Sequence, residues 1–340
     1  MSAIPAPVPS RVAIVGASSL RGKELKVVLE DRNFPAVDFV LLDESVAVGT
    51  LTKAGGEPTF IRPIAEESFE RSRFAFFAGS TADAARNWKI AQHAGCTVID
   101  LTGALNGVPG AMAWIPAIKK AFPPPDSGSR SAGLFSAPGP ATILASTLAA
   151  AIRGFSPQRL VMTFFPPVSE RDSAGVEELE SQTASLLSFR PIEQTVFDAQ
   201  VAFNMLPAYG PSSRLSLPIL REEISREVGS YLSGRVPLPA IQLIQAPLFY
   251  GYTFAAFAEL ASPHPNEEIE AALMEVGIKL PASGEEPPSN VSVSGENEIA
   301  MARVERDPGI ASGYWFWGAA DNLRLVANNA VHIAEELLAC

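Results

Sequence analysis

The first hundred residues of this 340-residue chain alternate short apolar runs with helical stretches, and this alternation constrains the fold most strongly. Buried strands are predicted at 12–15, 39–42, 74–77 and 97–99, and helices at 22–31 and 82–93. Strands that alternate with helices form a parallel, doubly wound α/β sheet. The loops after its strands then share one edge of the sheet, where ligands usually bind.

From about residue 140 the pattern changes to longer strands, predicted at 160–165 and 241–248. This half is predicted to be α+β, with a mixed or antiparallel sheet whose open face a partner subunit covers. Its helices are predicted at 143–152, with Ser136 or Thr142 near the cap, and at 174–187, 220–232 and 321–338. Residues 1–139 and 319–340 are predicted to form the first domain and 140–318 the second. The Pro/Ser/Gly-rich segment 123–131 is expected to be an exposed excursion.

Composition excludes several classes of function. The formal net charge of -11 disfavours a nucleic-acid partner, because the phosphate backbone attracts basic surfaces. No apolar run approaches the ~20 residues of a membrane span. Residues 1–11 lack a basic region followed by an apolar run, so we expect no signal peptide and a cytoplasmic protein.

Neither cysteine of the chain is placed for catalysis. Cys96 precedes a buried strand and is interpreted as a small core residue, whereas Cys340 is the last residue. The histidines at 93, 264 and 332 do not cluster with Cys, Asp or Glu, so no metal site is predicted.

A glycine loop follows the first predicted strand and opens the first helix. The backbone N–H groups between Gly16 and Gly22 could bind a dinucleotide phosphate, as in Rossmann-like domains. The middle glycine of the usual pattern is replaced by Ser19, although the hydroxyls of Ser18 and Ser19 could donate to phosphate. A tight strand-to-helix turn without a ligand is the alternative interpretation.

Asp43 ends the second predicted strand and Glu44 follows it. A carboxylate at this position accepts a hydrogen bond from the ribose 2′-hydroxyl and repels a 2′-phosphate, so NAD is favoured over NADP if a cofactor binds. The alternative is a solvated acidic loop.

Motifs along nearly the whole chain resemble those of the aspartate-semialdehyde dehydrogenase family. The matching stretches are 11–22, 76–80, 98–104, 173–179, 201–207 and 321–338. The resemblance implies a Rossmann-like nucleotide-binding domain, an α+β dimerisation domain, a homodimer or dimer-based tetramer, an NAD or NADP cofactor and a family role in amino-acid biosynthesis. The cofactor-binding positions that it implies, with Asp43 added from the argument above, are Gly16, Ser18, Ser19, Leu20, Gly22, Asp43, Gly79 and Asn322.

The family reduces an acyl phosphate to an aldehyde, using a cysteine thiolate, a histidine that moves protons and arginines that hold substrate charges. The resemblance places Pro140 at the cysteine position and Pro166 at that of a substrate-orienting glutamine. Gln245 replaces the substrate arginine, Tyr252 replaces the histidine, and Asn106 falls near a phosphate-holding arginine. By this resemblance no family catalytic residue is intact. Loss of the nucleophile alone typically costs ~10⁶-fold in rate.

The sequence therefore favours a catalytically silent, dimeric paralogue that binds a ligand or regulates a partner, including a mixed dimer with an active relative. The alternative is an active NAD(P)-dependent semialdehyde oxidoreductase in which Tyr252 polarises a carbonyl for direct hydride transfer. Five aromatic residues predicted near the site either fill the core or line an apolar pocket for a different ligand. They are Phe164, Phe165, Phe249, Tyr250 and Tyr252.

Overall fold

A computed structural model describes residues 10–44, 47–55, 57–124 and 133–339. The chain divides into two compact units, each considered by itself. Unit 1 contains the described residues within 1–119, 123–139 and 326–340, and unit 2 contains 120–122 and 140–325. By this division the chain returns to unit 1 at Val326, whereas the sequence prediction places the return at residue 319. Cys340 and most of the proline-rich segment lie outside the described residues.

Unit 1 is built on a parallel sheet with helices between its strands. Its strands are β1 (Ser10–Val15), β2 (Ala36–Asp43), β3 (Leu51–Ala54), β4 (Glu57–Phe60), β5 (Arg62–Pro63), β6 (Ser72–Phe77), β7 (Thr97–Asp100), β8 (Met112–Ala113) and β9 (Leu134–Ser136). Two helices, α1 (Leu20–Asp31) and α2 (Thr81–His93), follow β1 and β6. Seven strands pair in parallel in the order β5-β2-β1-β6-β7-β9-β8, and β3 and β4 form a separate hairpin.

The central strands of this sheet are buried on both faces. In β1 the successive residues Val12, Ala13 and Ile14 have no exposed surface, although their side chains point to alternate faces. A continuous apolar run is what a parallel strand covered by helices on both sides requires. The predicted doubly wound sheet is therefore confirmed.

The loop after β1 requires glycine because two backbones meet there. Gly16 has a φ of +80°, and a Cβ on it would lie 2.2 Å from the backbone nitrogen of Gly79. A Cβ on Gly22 would lie 2.1 Å from the carbonyl oxygen of Gly16. The glycine spacing of this loop therefore has a steric cause that is independent of any ligand.

Unit 2 combines a mixed sheet with a helical layer. Its helices are α3 (Pro140–Ile152), α4 (Asp172–Leu187), α5 (Leu217–Leu232) and α6 (Asn266–Glu275), and α7 (Asn322–Leu338) begins in unit 2 and continues into unit 1. Its strands are β10 (Pro157–Phe165), β11 (Ala240–Leu243), β12 (Tyr252–Leu260), β13 (Ala300–Met301), β14 (Glu305–Arg306) and β15 (Gly313–Ala320). The sheet order is β11-β10-β12-β15-β13, with β14 also on β15, and only the β10–β11 pair is parallel among these strands. The predicted mixed sheet is confirmed.

The two faces of this sheet differ in burial. Leu160, Met162 and Phe164 of β10 are buried, whereas Val161 between them is 37% exposed. Val161 pairs with Phe257 of β12, which pairs with Trp315 of β15, itself 46% exposed. One face therefore belongs to the core, and the other presents an open row of apolar side chains, which we call the open sheet face.

Two local sequence predictions in unit 2 were wrong. The strand predicted at 241–248 ends at Leu243, because Gln245 turns away to pair with Leu206 and Pro247 has no N–H for a ladder. The helix predicted from residue 143 begins at Pro140, since proline is favoured in the first helical turn. The hydroxyls of Ser136 and Thr142, which the sequence places near its cap, bond to Asn106 and Glu227.

The C-terminal helix α7 begins on a capping carboxylate. Asp321 Oδ1 accepts the N–H groups of Leu323 and Arg324 at 3.1 and 3.0 Å. In unit 1, Asn329 of α7 donates to the carbonyl oxygen of Trp114. Among the described residues, no helix has the length and apolar character needed to cross a membrane.

Replacing Gly16 with alanine should destabilise unit 1 by about 3 kcal/mol or more, because left-handed strain adds to a backbone collision. The matched control is Gly95→Ala, since Gly95 has a φ of +86° but open space around its missing Cβ. Urea unfolding of both variants measures the difference. Equal losses of stability would contradict the steric role assigned to the Gly16–Gly79 contact.

Candidate functional site

The N–H groups of the glycine loop are bound within unit 1. Those of Gly16 and Ala17 both donate to the carbonyl oxygen of Leu42, at 2.9 and 3.3 Å. The Ser18 N–H donates to Asp43 Oδ2 at 2.9 Å. A pyrophosphate bound by these three N–H groups would have to replace their internal hydrogen bonds.

Ser19 caps α1 with its side chain. Its Oγ accepts the N–H of Gly22 at 2.9 Å and lies 2.8 and 2.9 Å from the carbonyl oxygens of Gly16 and Ala78. The hydroxyl predicted to contact phosphate therefore helps to hold the loop together, and its contact with phosphate stays a prediction. Leu20 is the first residue of α1, and Ser18 remains exposed at the loop surface.

The end of β2 keeps the chemistry predicted for an adenosine ribose. Asp43 accepts N–H groups from Ser18 and Glu44, and a carboxylate has further lone pairs for a ribose hydroxyl. The glycine loop, the N-terminus of α1 and this carboxylate all belong to unit 1. The residues present thus fit a dinucleotide at its adenosine end, and Asp43 is the residue that would hold the ribose.

The loop after β7 is shaped by a buried carboxylate. Asp100 accepts the N–H groups of Thr102 and Leu105 at 2.8 Å, and burial raises its pKa. The loop brings Asn106 to Ser136, whose hydroxyl donates to Asn106 Oδ1 at 3.0 Å. At the position of a phosphate-holding arginine, the chain therefore has a neutral amide with an internal partner.

Asn322 is buried in unit 2 and connects separate segments of it by hydrogen bonds. It is 1% exposed, and its Nδ2 donates to Glu170 Oε1 at 2.7 Å and to Ser169 Oγ at 3.2 Å. Its Oδ1 accepts the N–H of Gly251 at 3.2 Å. These bonds use the amide internally, so the structure gives this predicted cofactor-binding residue a positioning role for the backbone before Tyr252.

Pro140 is the buried first residue of α3. A helix N-terminus lowers the pKa of a thiol placed there, which is why such positions suit nucleophilic cysteines. Proline is equally suited sterically, because its missing N–H belongs to the helical turn that has no intrahelical acceptor. The position therefore keeps the local geometry of a nucleophile site without a nucleophile.

Gln245 is hydrogen-bonded to both Tyr209 and Pro166. Tyr209 donates its hydroxyl to Gln245 Oε1 at 2.7 Å. Gln245 Nε2 donates to the carbonyl oxygens of Pro166 and Ala246 at 2.8 and 2.9 Å, and the residue is 1% exposed. The structure brings together two of the family positions, Pro166 and Gln245, and joins them by neutral bonds.

Tyr252 is sealed in the core of unit 2. It is 2% exposed and makes an edge contact with Phe164 at 5.8 Å between ring centroids. Burial raises the pKa of Tyr252 well above its usual value, with the charge of Glu170 adding to the rise and that of Arg171 opposing it. The phenol therefore stays protonated near neutral pH and is no general base.

The five aromatic residues do not line one pocket. Phe164 and Tyr252 point into the core, whereas Phe165 points to the open sheet face and contacts Trp317 at 6.3 Å. Phe249 and Tyr250 are 39% and 38% exposed. Successive side chains of β10 point to opposite faces of the sheet, so Phe164 and Phe165 lie on different faces.

Cys96 is a core residue of unit 1. It is 4% exposed, and its thiol lies 3.1 Å from the carbonyl oxygen of Ser72. Burial raises the pKa of the thiol to about 11, so very little thiolate is present at neutral pH. Among the described residues, no group of His, Cys, Asp and Glu is arranged to hold a metal ion.

Two residues near Tyr252 had no signal in the sequence. Tyr209 anchors Gln245, and Arg171 hydrogen-bonds to Tyr209 and acts electrostatically on Tyr252. Burial raises the pKa of Tyr209, and Arg171 opposes this rise. Arg171 Nε is buried without a hydrogen-bond partner in the described part of the chain. Their proximity depends on tertiary structure, because no spacing in the sequence relates them.

The fold defines a two-domain protein with a Rossmann-like domain and a second domain built on a mixed sheet. Residues 11–121 match the profile of the semialdehyde dehydrogenase NAD binding domain, and residues 151–325 match that of the semialdehyde dehydrogenase dimerisation domain. The chain belongs to the semialdehyde dehydrogenase family.

Its relatives include proteins with and without an enzyme name. It is 30% identical over 337 residues to the USG-1 protein homolog of Pseudomonas aeruginosa, which covers 97% of this chain and 98% of the relative. It is 27% identical over 332 residues to aspartate-semialdehyde dehydrogenase 2 of Vibrio cholerae, covering 96% and 97%. The structure of aspartate semialdehyde dehydrogenase II complexed with ASA from Vibrio cholerae superposes with a TM-score of 0.88, at 26% identity and 97% and 98% coverage.

Replacing Tyr209 with phenylalanine should destabilise unit 2 by about 1–3 kcal/mol, because it leaves the buried Gln245 Oε1 without its donor. Tyr250→Phe is the matched control, since Tyr250 is 38% exposed and should change stability by less than about 0.5 kcal/mol. Thermal and urea unfolding measure both. A Tyr209→Phe variant as stable as the control would contradict the hydrogen bond between Tyr209 and Gln245.

Proposed function

We propose that this chain is a homodimeric, dinucleotide-binding member of the semialdehyde dehydrogenase family that does not catalyse the family's thiol-dependent reaction. Its function is to bind a ligand or to regulate a partner. The observation that carries the proposal is Pro140, which occupies the first position of α3 where the resemblance requires a thiol. Cys96 is no substitute, because it is 4% exposed in the core of unit 1.

The loss of substrate-binding charge supports the same proposal. The resemblance implies a cation at position 245 and another near position 106, and Gln245 and Asn106 are amides with internal hydrogen bonds. Catalysis of acyl transfer needs fixed charges where negative charge develops, and a neutral amide that is already bonded supplies less stabilisation. Three independent requirements of the family chemistry are thus missing together.

The alternative function is direct hydride transfer with Tyr252 as the carbonyl polariser. Its raised pKa keeps the phenol protonated, which suits a hydrogen-bond donor. However, Tyr252 is 2% exposed and packs edge-on against Phe164, so its hydroxyl reaches a substrate only if the core opens. The burial favours a structural role for this residue.

Ligand binding in unit 2 is supported by Arg171. Its Nε is buried without a hydrogen-bond partner in the described part of the chain, although its charge influences Tyr209 and Tyr252. An unpaired buried donor is unfavourable, and an anionic or carbonyl oxygen of a ligand would satisfy it.

Homodimerisation is supported by the open sheet face. It lies within the segment that matches the dimerisation domain, and it presents the row Val161, Phe257 and Trp315. Exposure of this apolar row to water is unfavourable, and a second copy of the chain would bury it. A mixed dimer with an active relative would use the same face.

The purified protein should show no nicotinamide absorbance change with aspartate semialdehyde, phosphate and NAD or NADP. The Vibrio cholerae enzyme named above, assayed at equal concentration, is the positive control. Because loss of a nucleophile costs ~10⁶-fold, the expected signal lies below detection. Turnover that survives repurification would show that the protein is catalytically active. If an alkylating reagent did not abolish this turnover, the reaction would need no thiol, which favours hydride transfer with Tyr252 as the carbonyl polariser.

Val161→Lys should convert the dimer to a monomer, because it places a charge in the apolar row of the open sheet face. Light scattering during gel filtration should give twice 36.1 kDa for the unchanged chain and 36.1 kDa for the variant. Val291→Lys is the matched control, since Val291 is 76% exposed. A dimeric Val161→Lys variant would exclude this face, and co-purification with an active relative tests the mixed dimer.

A further inference from the structure

The ion pair between Glu44 and Arg86 spans the glycine loop of unit 1. Strand β1 lies between β2 and β6 in the sheet. Glu44 follows β2, and Arg86 lies on α2, which follows β6. Because the carboxyl ends of parallel strands share one edge, the pair joins the two segments that flank the loop after β1.

The contacts of Arg86 are direct and exposed to solvent. Its guanidinium Nη2 donates to Glu44 Oε1 at 2.7 Å and also to Asp83 Oδ1, one turn earlier on α2. The side chains of Arg86 and Glu44 are 56% and 47% exposed. An exposed ion pair adds little stability, so the Glu44–Arg86 pair is not needed to hold unit 1 together.

The charge at this edge is negative despite the arginine. Asp43, Glu44 and Asp83 supply three carboxylates against the guanidinium of Arg86, which leaves this group of four with a net charge of about -2 at neutral pH. Asp43 also holds the loop through the Ser18 N–H. This negative charge repels a ribose 2′-phosphate, whereas an uncharged 2′-hydroxyl is not repelled.

We infer that Glu44 and Arg86 together determine the cofactor preference: Glu44 occupies Arg86 and so excludes a 2′-phosphate. Removal of the Glu44 charge leaves Arg86 as the partner for that phosphate, because a guanidinium binds phosphate oxygens strongly. This inference rests on the proposed binding of a dinucleotide. It assigns the discrimination to an ion pair between the residue after β2 and helix α2, in addition to the carboxylate of Asp43.

Calorimetry with NAD and with NADP, without any substrate, tests the inference on the full-length dimer. The unchanged protein should bind NAD more tightly than NADP. Glu44→Gln should shift the ratio of dissociation constants towards NADP by about 10-fold, since it removes one like charge and frees one cation. The double variant Glu44→Gln/Arg86→Gln should lose this gain. Thermal unfolding checks that every variant is folded.

Glu275→Gln is the control for net charge, because it removes the same charge from α6 of unit 2. A ratio unchanged in Glu44→Gln, or changed equally in Glu275→Gln, would overturn the inference while leaving dinucleotide binding intact. A gain that persists in the double variant would show that Arg86 is not the phosphate partner. Binding of neither dinucleotide to the unchanged protein would overturn the proposed dinucleotide binding and this inference with it.

Discussion

In the function proposed for this chain, the proline at the start of α3 limits the chemistry of unit 2 more than any other residue. A helix N-terminus stabilises a thiolate, and proline is sterically favoured at the same position because it has no N–H to leave unpaired. The fold can therefore retain α3 while the nucleophile is absent, and burial of Pro140 ties the helix to the core. In the same unit, neutral hydrogen bonds join Gln245 to Tyr209 and to the carbonyl oxygen of Pro166.

Positions that the family uses for ligands are bound here to the chain itself. Asp43 takes the Ser18 N–H, Ser136 bonds to Asn106, and Tyr209 bonds to Gln245. Burial makes such partners necessary, because an unsatisfied polar group costs about 1–3 kcal/mol. Arg171 departs from this pattern, because its buried Nε has no hydrogen-bond partner among the residues that the structure describes. The proposed ligand binding in unit 2 rests on this donor.

Much of the fold followed from the sequence, because periodicity records burial directly. The apolar runs of β1, β2, β6 and β7 predicted a doubly wound sheet, since strands covered on both faces must be apolar throughout. Strand ends were less predictable: β11 stops at Leu243 because Gln245 finds a partner on a distant segment. The cofactor-binding assignments around Ser19 and Asn322 remain predictions, and both side chains prove to be used internally.

The sequence by itself determined the family, the proline at position 140 and the apolar strands, because each depends on residue identity or local spacing. The tertiary structure decided which polar groups are already satisfied, that Tyr252 is sealed against Phe164, and that Arg86 reaches Glu44 across the glycine loop. The reason is physical: hydrogen bonds and ion pairs act over about 3 Å in space. Contacts between residues distant in the chain therefore exist only once the strands have been brought side by side.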